Sequence, residues 1–145
     1  MSGQGSLKED SQAVHVHLEI TQSVVQRMAS NSASCKTWCI TLVSAILVIV
    51  AEKGNSRYGF VALIPTLCFC GLDTYYLSLE RMFRISYNEF VEKLHEGKLG
   101  ATDLYAVAPS GKLLQTFVAA CRSYSIWPFY GMLFLVVMIA VWLIN

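Results

Sequence analysis

An all-α membrane protein with three transmembrane helices is the fold class this sequence predicts, and three observations predict it. Stretches without formal charge run from Thr37 to Ala51, from Tyr58 to Ser78 with one carboxylate (Asp73) inside, and from Ser123 to Asn145. A spanning helix needs about 20 mostly apolar residues, which the second and third stretches supply outright. Hydrophobic residues make up 54% of the 145 and charged residues only 14%. With about 60 residues assigned to lipid, neither polar portion is large enough for a sizeable core of its own.

Residues 1–10 are rich in Gly and Ser and are expected to be disordered. The rest, 11–145, reads as a single helical membrane unit. Ser11 is a plausible N-cap for a helix on which Val14, Leu18, Val24, Val25 and Met28 recur at partly helical spacing. Nothing between Arg27 and Trp38 breaks it, so it should continue into a first span over about 33–51, with the Lys36 ammonium snorkelling to the interface. Gly54, Asn55 and Ser56 make the next turn. The second span, about 58–79, contains Pro65, which should kink it and free a carbonyl one turn earlier. That helix should run on through Glu80, Arg81 and Arg84 to about Glu96, where Gly97 and Gly100 stop it. Residues 97–111 read as a loop with a short turn at Asp103–Ala106, closed by Pro109, Ser110 and Gly111. Lys112 to Arg122 is a short amphipathic helix with Leu113, Leu114, Phe117 and Val118 on one side. The third span, about 125–144, carries Trp127 and Trp142 near its ends as interfacial anchors. Between them Met132 to Val141 is apolar all round, which predicts a lipid-facing helix at the outside of an assembly.

Cation placement sets the expected orientation. Lys8, Arg27 and Lys36 precede the first span; Lys53 and Arg57 follow it; Arg81, Arg84, Lys93, Lys98, Lys112 and Arg122 lie between the second and third. Nine against two predicts an N-in/C-out protein, with residues 80–122 cytoplasmic. The first 35 residues are polar and mixed in charge, so no cleaved secretory leader is expected, nor any external domain after Asn145. The formal net charge of +1 offers no basic face for nucleic acid. Five dispersed cysteines, Cys35, Cys39, Cys68, Cys70 and Cys121, argue against a disulfide framework and read as small buried hydrophobes. Reversible acylation of Cys35 and Cys39 is the alternative.

Three constellations are candidates for function. Ser30, Ser34, Thr37, Thr41 and Ser44 are spaced 4, 3, 4, 3, so they share one helix face that Val48 extends. Such a stripe either packs helices closely, within the chain or between copies, or lines a narrow water path in an oligomer. Asp73 is an intramembrane carboxylate, which is costly and so faces a partner or water. It either pairs with Arg81, Arg27 or Lys36, or forms a charged ring at the inner mouth of a cation pore. On the helix after the second span, Glu80 and Arg84, and Glu89 and Lys93, are ordinary i,i+4 pairs. The aromatic load of Tyr75, Tyr76, Phe83, Tyr87 and Phe90 adds a collar packed on the N-terminal helix. A ligand or gating partner would act there on Arg27, Arg81 and Arg84.

Catalytic patterns are lacking. His15 and His17 lie on different sides of a helix and make a poor metal pair. The Gly111-Lys112 pair fails as a phosphate loop, because Ala106 stands at its first glycine and Leu113 follows the lysine. No nucleophile has a base at a recognisable spacing. No enzyme activity, cofactor or metal is expected.

Two segments carry a family resemblance. One is Arg27-Met28-Ala29-Ser30-Asn31-Ser32 followed by Lys36 and Trp38. The other is Ile64-Pro65-Thr66, then Gly71-Leu72-Asp73-Thr74-Tyr75-Tyr76-Leu77, then Glu80-Arg81, Phe83-Arg84 and Tyr87. Over residues 15 to 90 they resemble small bacterial inner-membrane proteins, which in turn are similar to the SLATT-type two-span effectors of nucleotide-signalled conflict and anti-phage systems. The resemblance implies a homo-oligomeric pore in the bacterial inner membrane. A nucleotide or protein trigger would open it on infection, depolarising the cell. The third span departs from the two-span pattern, and no ligand-binding residue carries over. The expected function is therefore a gated ion-conducting pore, with a non-conducting accessory protein that recruits a larger membrane partner as the alternative.

Overall fold

The computed structural model describes residues 11–144, so the expected disorder of residues 1–10 lies outside them. Every regular element among the described residues is helical. Helix α1 spans Gln12–Lys53, α2 Leu63–His95, α3 Leu113–Cys121 and α4 Trp127–Ile144. A 3-10 segment, Ser56–Ala62, leads into α2, and a 3-10 turn, Ala101–Asp103, follows it. Three helical stretches are long and apolar enough to cross a membrane: Gln12–Lys53, Ser56–His95 and Trp127–Ile144.

Helix boundaries follow local chemistry. Ser11 precedes α1 with extended backbone, and its carbonyl accepts from Val14 and His15, but its side chain makes no cap bond. Gly54 ends α1 at φ +63° and Gly97 follows α2 at φ +66°, left-handed positions that glycine adopts without strain. Pro65 is the third residue of α2, where a missing N–H breaks no internal ladder, and the winding changes from 3-10 to α just before it.

α1 and α2 form a long antiparallel hairpin, at about 63 and 50 Å respectively. Two apolar cores lie along it. At the turn end, Cys39, Val43, Ala62, Ile126, Tyr130 and Val137 are buried together. There α4 crosses the 3-10 segment so closely that a Cβ on Gly59 would collide with Val141 Cγ2. At the open end, Val14, Phe90 and Leu99 form a smaller core with Leu18, Leu94 and Leu104. Between the two, the α1–α2 seam is built from small polar residues. Thr66, Thr74 and Ser78 are buried, and each hydroxyl donates to the carbonyl four residues back, at 2.8, 2.7 and 2.6 Å. Self-satisfied hydroxyls let two backbones approach without orphaned polar groups.

The cysteines divide. Cys35 and Cys39 are buried in the seam, as small hydrophobes should be, whereas Cys68 and Cys121 are exposed on the outside of the helices.

Candidate functional site

Asp73 is fully buried at the middle of the seam, and its surroundings come from all three long helices. From α1, Ser32 Oγ donates to Asp73 Oδ1, and Lys36 Nζ stands 2.5 Å from Oδ2. Lys36 is one turn after Ser32 and also reaches its Oγ at 3.4 Å, so both partners project from one face of α1. From α4, the Phe129 ring lies 5.9 Å from the Lys36 ammonium, within cation–π range. The neighbouring Tyr130 hydroxyl donates to the Phe69 carbonyl at 3.2 Å, closing the cluster. Asp73 Oδ2 has no regular hydrogen bond among the described residues, so the Lys36 charge is what balances it.

Of the alternatives the sequence left for Asp73, the structure thus brings Lys36 to it. Arg81 is elsewhere: its Nη2 donates to Ser123 Oγ at 2.9 Å, ahead of α4. Arg84 is exposed and paired with Glu80 at 2.9 Å, and Arg27 is exposed with no ion pair among the described residues. Arg81 and Arg84 thus hold different partners. A charged ring built on Asp73 is contradicted by its enclosure, because a carboxylate with no exposed surface cannot face a water path.

Ser30, Ser34, Thr37, Thr41, Ser44 and Val48 are all exposed. At 100° per residue they centre about 180° from the face of α1 that carries Ser32, Cys35, Cys39 and Val43 into the seam. The stripe therefore does not pack the chain's own helices. Thr37 donates to the Ala33 carbonyl at 3.3 Å and Thr41 to the Thr37 carbonyl at 2.9 Å. Their oxygens remain outward-facing acceptors. The seam itself was not read from the sequence, although Thr66, Cys70, Thr74 and Ser78 recur four residues apart on α2.

At the open end, the collar has a polar latch. His17, only 4% exposed, stacks on Phe90 with ring centroids 4.2 Å apart. Its Nδ1 accepts the backbone N–H of Tyr105 at 3.0 Å, which fixes the neutral ring with its proton on Nε2. Tyr105 holds φ +65°, a strained position for a side chain this large, and the bond to His17 helps hold it. Asp103 anchors the same loop, accepting from Gly100 N–H and from Lys93, each at 3.0 Å. These two donors draw its carboxyl below the usual range. Burial lowers the His17 pKa from 6.5, with Asp103 opposing.

A depressed folded-state value means the unfolded chain binds the extra proton, so this contribution is complete above pH 6.5 and is lost as pH falls through the folded value. Imidazolium would set N–H against N–H at Tyr105. Amide exchange at Tyr105, corrected for its intrinsic pH dependence, should therefore accelerate on acidification below pH 6.5. The His17→Gln variant, which keeps an acceptor and cannot titrate, should abolish that acceleration. Equal profiles in both proteins would show that the latch does not respond to His17.

No family model, curated protein or solved structure matches this chain.

Proposed function

We propose that the chain is a homo-oligomeric membrane effector that forms a gated ion-conducting pore, oriented N-in/C-out in a bacterial inner membrane. The observation that carries this reading is the exposed hydroxyl stripe on α1, directed away from the chain's own packing face. In a ring of copies, Ser30, Ser34, Thr37, Thr41 and Ser44 would face the axis, and Val48 would form its narrow apolar end. The wall would offer oxygen acceptors without fixed charge, a chemistry that suits passing cations. α4, with only Tyr130 and Val137 buried, would face lipid, and the collar would gate. The excess of Lys and Arg before the first span and between the second and third supports the orientation. A defence role, in which opening depolarises an infected cell, rests on the sequence resemblance.

The mass of the protein in nanodiscs, measured by light scattering and corrected for lipid, tests the assembly. A closed ring of four or more copies is expected. A monomer would overturn the pore, because three helices from one chain enclose no water path, and would favour an accessory docking role. In vesicles conducting with wild-type protein, Thr41→Leu and Ser44→Leu should each abolish ion flux while still inserting. Unchanged flux in both variants would overturn the lining assignment.

A further inference from the structure

The interruption between α3 and α4 places two cavities side by side, one with charged and hydroxyl residues in its lining and one almost wholly apolar. Arg122, Ser123, Tyr124, Trp127 and Pro128 line one of about 260 Å³. Trp127 and Pro128 also wall the other, an apolar groove of about 430 Å³ that continues along α4 over Gly131, Met132, Phe134 and Leu135. No carboxylate lines either cavity. Gly131 has open space where a Cβ would stand, so the groove has a floor of bare backbone.

The first cavity carries groups that suit an anion. Arg122 and Ser123 are among its lining residues, and Arg81 brings a guanidinium to Ser123. Ser123 Oγ accepts from Arg81 Nη2 at 2.9 Å and from the Ser125 N–H at 3.4 Å. Its own O–H is thereby left to donate outward. Tyr124 and Trp127 are 94% and 73% exposed, amphipathic rings lining the first cavity, and Trp127 is shared with the apolar groove. Aromatic rings of this kind settle at the headgroup level of a bilayer.

We propose that this junction binds one anionic glycerophospholipid, its phosphate on Arg122 and the Ser123 hydroxyl, its acyl chain in the α4 groove. Charge complementarity fixes the headgroup class, since basic pockets between helices hold anionic lipid. The shared Trp127 and Pro128 walls fix the occupant as a lipid and not a free anion, because phosphate alone leaves the groove empty. The inference rests on α4 spanning a membrane and not on pore formation.

Native mass spectrometry of delipidated full-length protein in detergent, given equal phosphatidylglycerol and phosphatidylcholine, tests it. Phosphatidylglycerol should be retained preferentially at one molecule per chain. Arg122→Gln should lower that retention about fivefold while leaving phosphatidylcholine unchanged. Gly131→Leu, which fills the groove, should weaken retention of both lipids. Millimolar inorganic phosphate should not displace the lipid. Equal retention of the two lipids by wild-type protein, or an Arg122→Gln profile like wild type, would overturn the site. Displacement by phosphate would also overturn it, assigning a free-anion site instead. Thermal unfolding of lipid-free Arg122→Gln at the wild-type temperature excludes misfolding as the cause. Partition of the wild-type protein into the aqueous phase without detergent would instead defeat the membrane reading on which the site depends.

Discussion

Replacing Lys36 with methionine is expected to destabilise the protein by about 3–5 kcal/mol, the range for removing one partner of a buried ion pair. Asp73 has no exposed surface, and without the ammonium its Oδ2 has neither counter-charge nor regular hydrogen bond. Ser32 stabilises only the other oxygen. The reverse change, Asp73→Asn, should cost less. The Lys36 side chain retains 21% exposure and a flexible stem, so its charge has a route to a polar surface. The double variant Lys36→Met, Asp73→Leu should recover most of the loss, because a packed apolar pair substitutes for a buried ion pair at little cost. Unfolding in a fixed detergent reports all three. Additive losses in the double variant would show that the two residues act independently. A Lys36→Met loss below about 1 kcal/mol, the range of a solvent-screened pair, would place water at the carboxylate.

Gly59→Ala should cost about 1–3 kcal/mol, the usual penalty for overpacking. The added methyl collides with Val141 Cγ2, and a β-branched side chain has few rotamers into which it could retreat. Relief comes by moving α4, which has just Tyr130 and Val137 buried to hold it. Pairing the change with Val141→Ala should restore most of the stability, since the contacts left near position 59 lie at ordinary packing distance. If Gly59→Ala is as stable as wild type, the close approach of α4 to the 3-10 segment is not maintained in solution.

Much of the fold was legible because charge and glycine mark its elements directly. The charge-free runs locate the apolar helices, and Gly54 and Gly97 stand where α1 and α2 end. The faces were not legible. On a helix apolar enough to cross a membrane, exposed positions such as Leu42, Val48 and Ile49 are as apolar as packed ones. Hydrophobicity therefore cannot tell inside from outside there. The hydroxyls of α1 at 30, 34, 37, 41 and 44 looked like the seam, yet the seam runs through Ser32, Cys35 and Cys39 on the opposite side. What distinguishes that side is complementarity with Thr66, Asp73 and Ser78 of α2, and complementarity exists only once two segments are paired. Arg81 with Ser123 and His17 with Tyr105 are separated by 42 and 88 residues, beyond any local pattern.

One consequence of the seam concerns mechanics. From His17 to Ser32 in α1, and from Asp73 to Phe90 in α2, there is neither proline nor glycine. Sharp bends in helices arise at such residues or at bulges. The two segments, each over 20 Å long at about 1.5 Å per residue, therefore form a stiff double strut. The strut has the histidine stack at one end and the ion pair at the other. With no proline or glycine hinge in either segment, a rotation at Phe90 is expected to carry along the helices toward the Asp73 carboxylate and not to be taken up at a local bend.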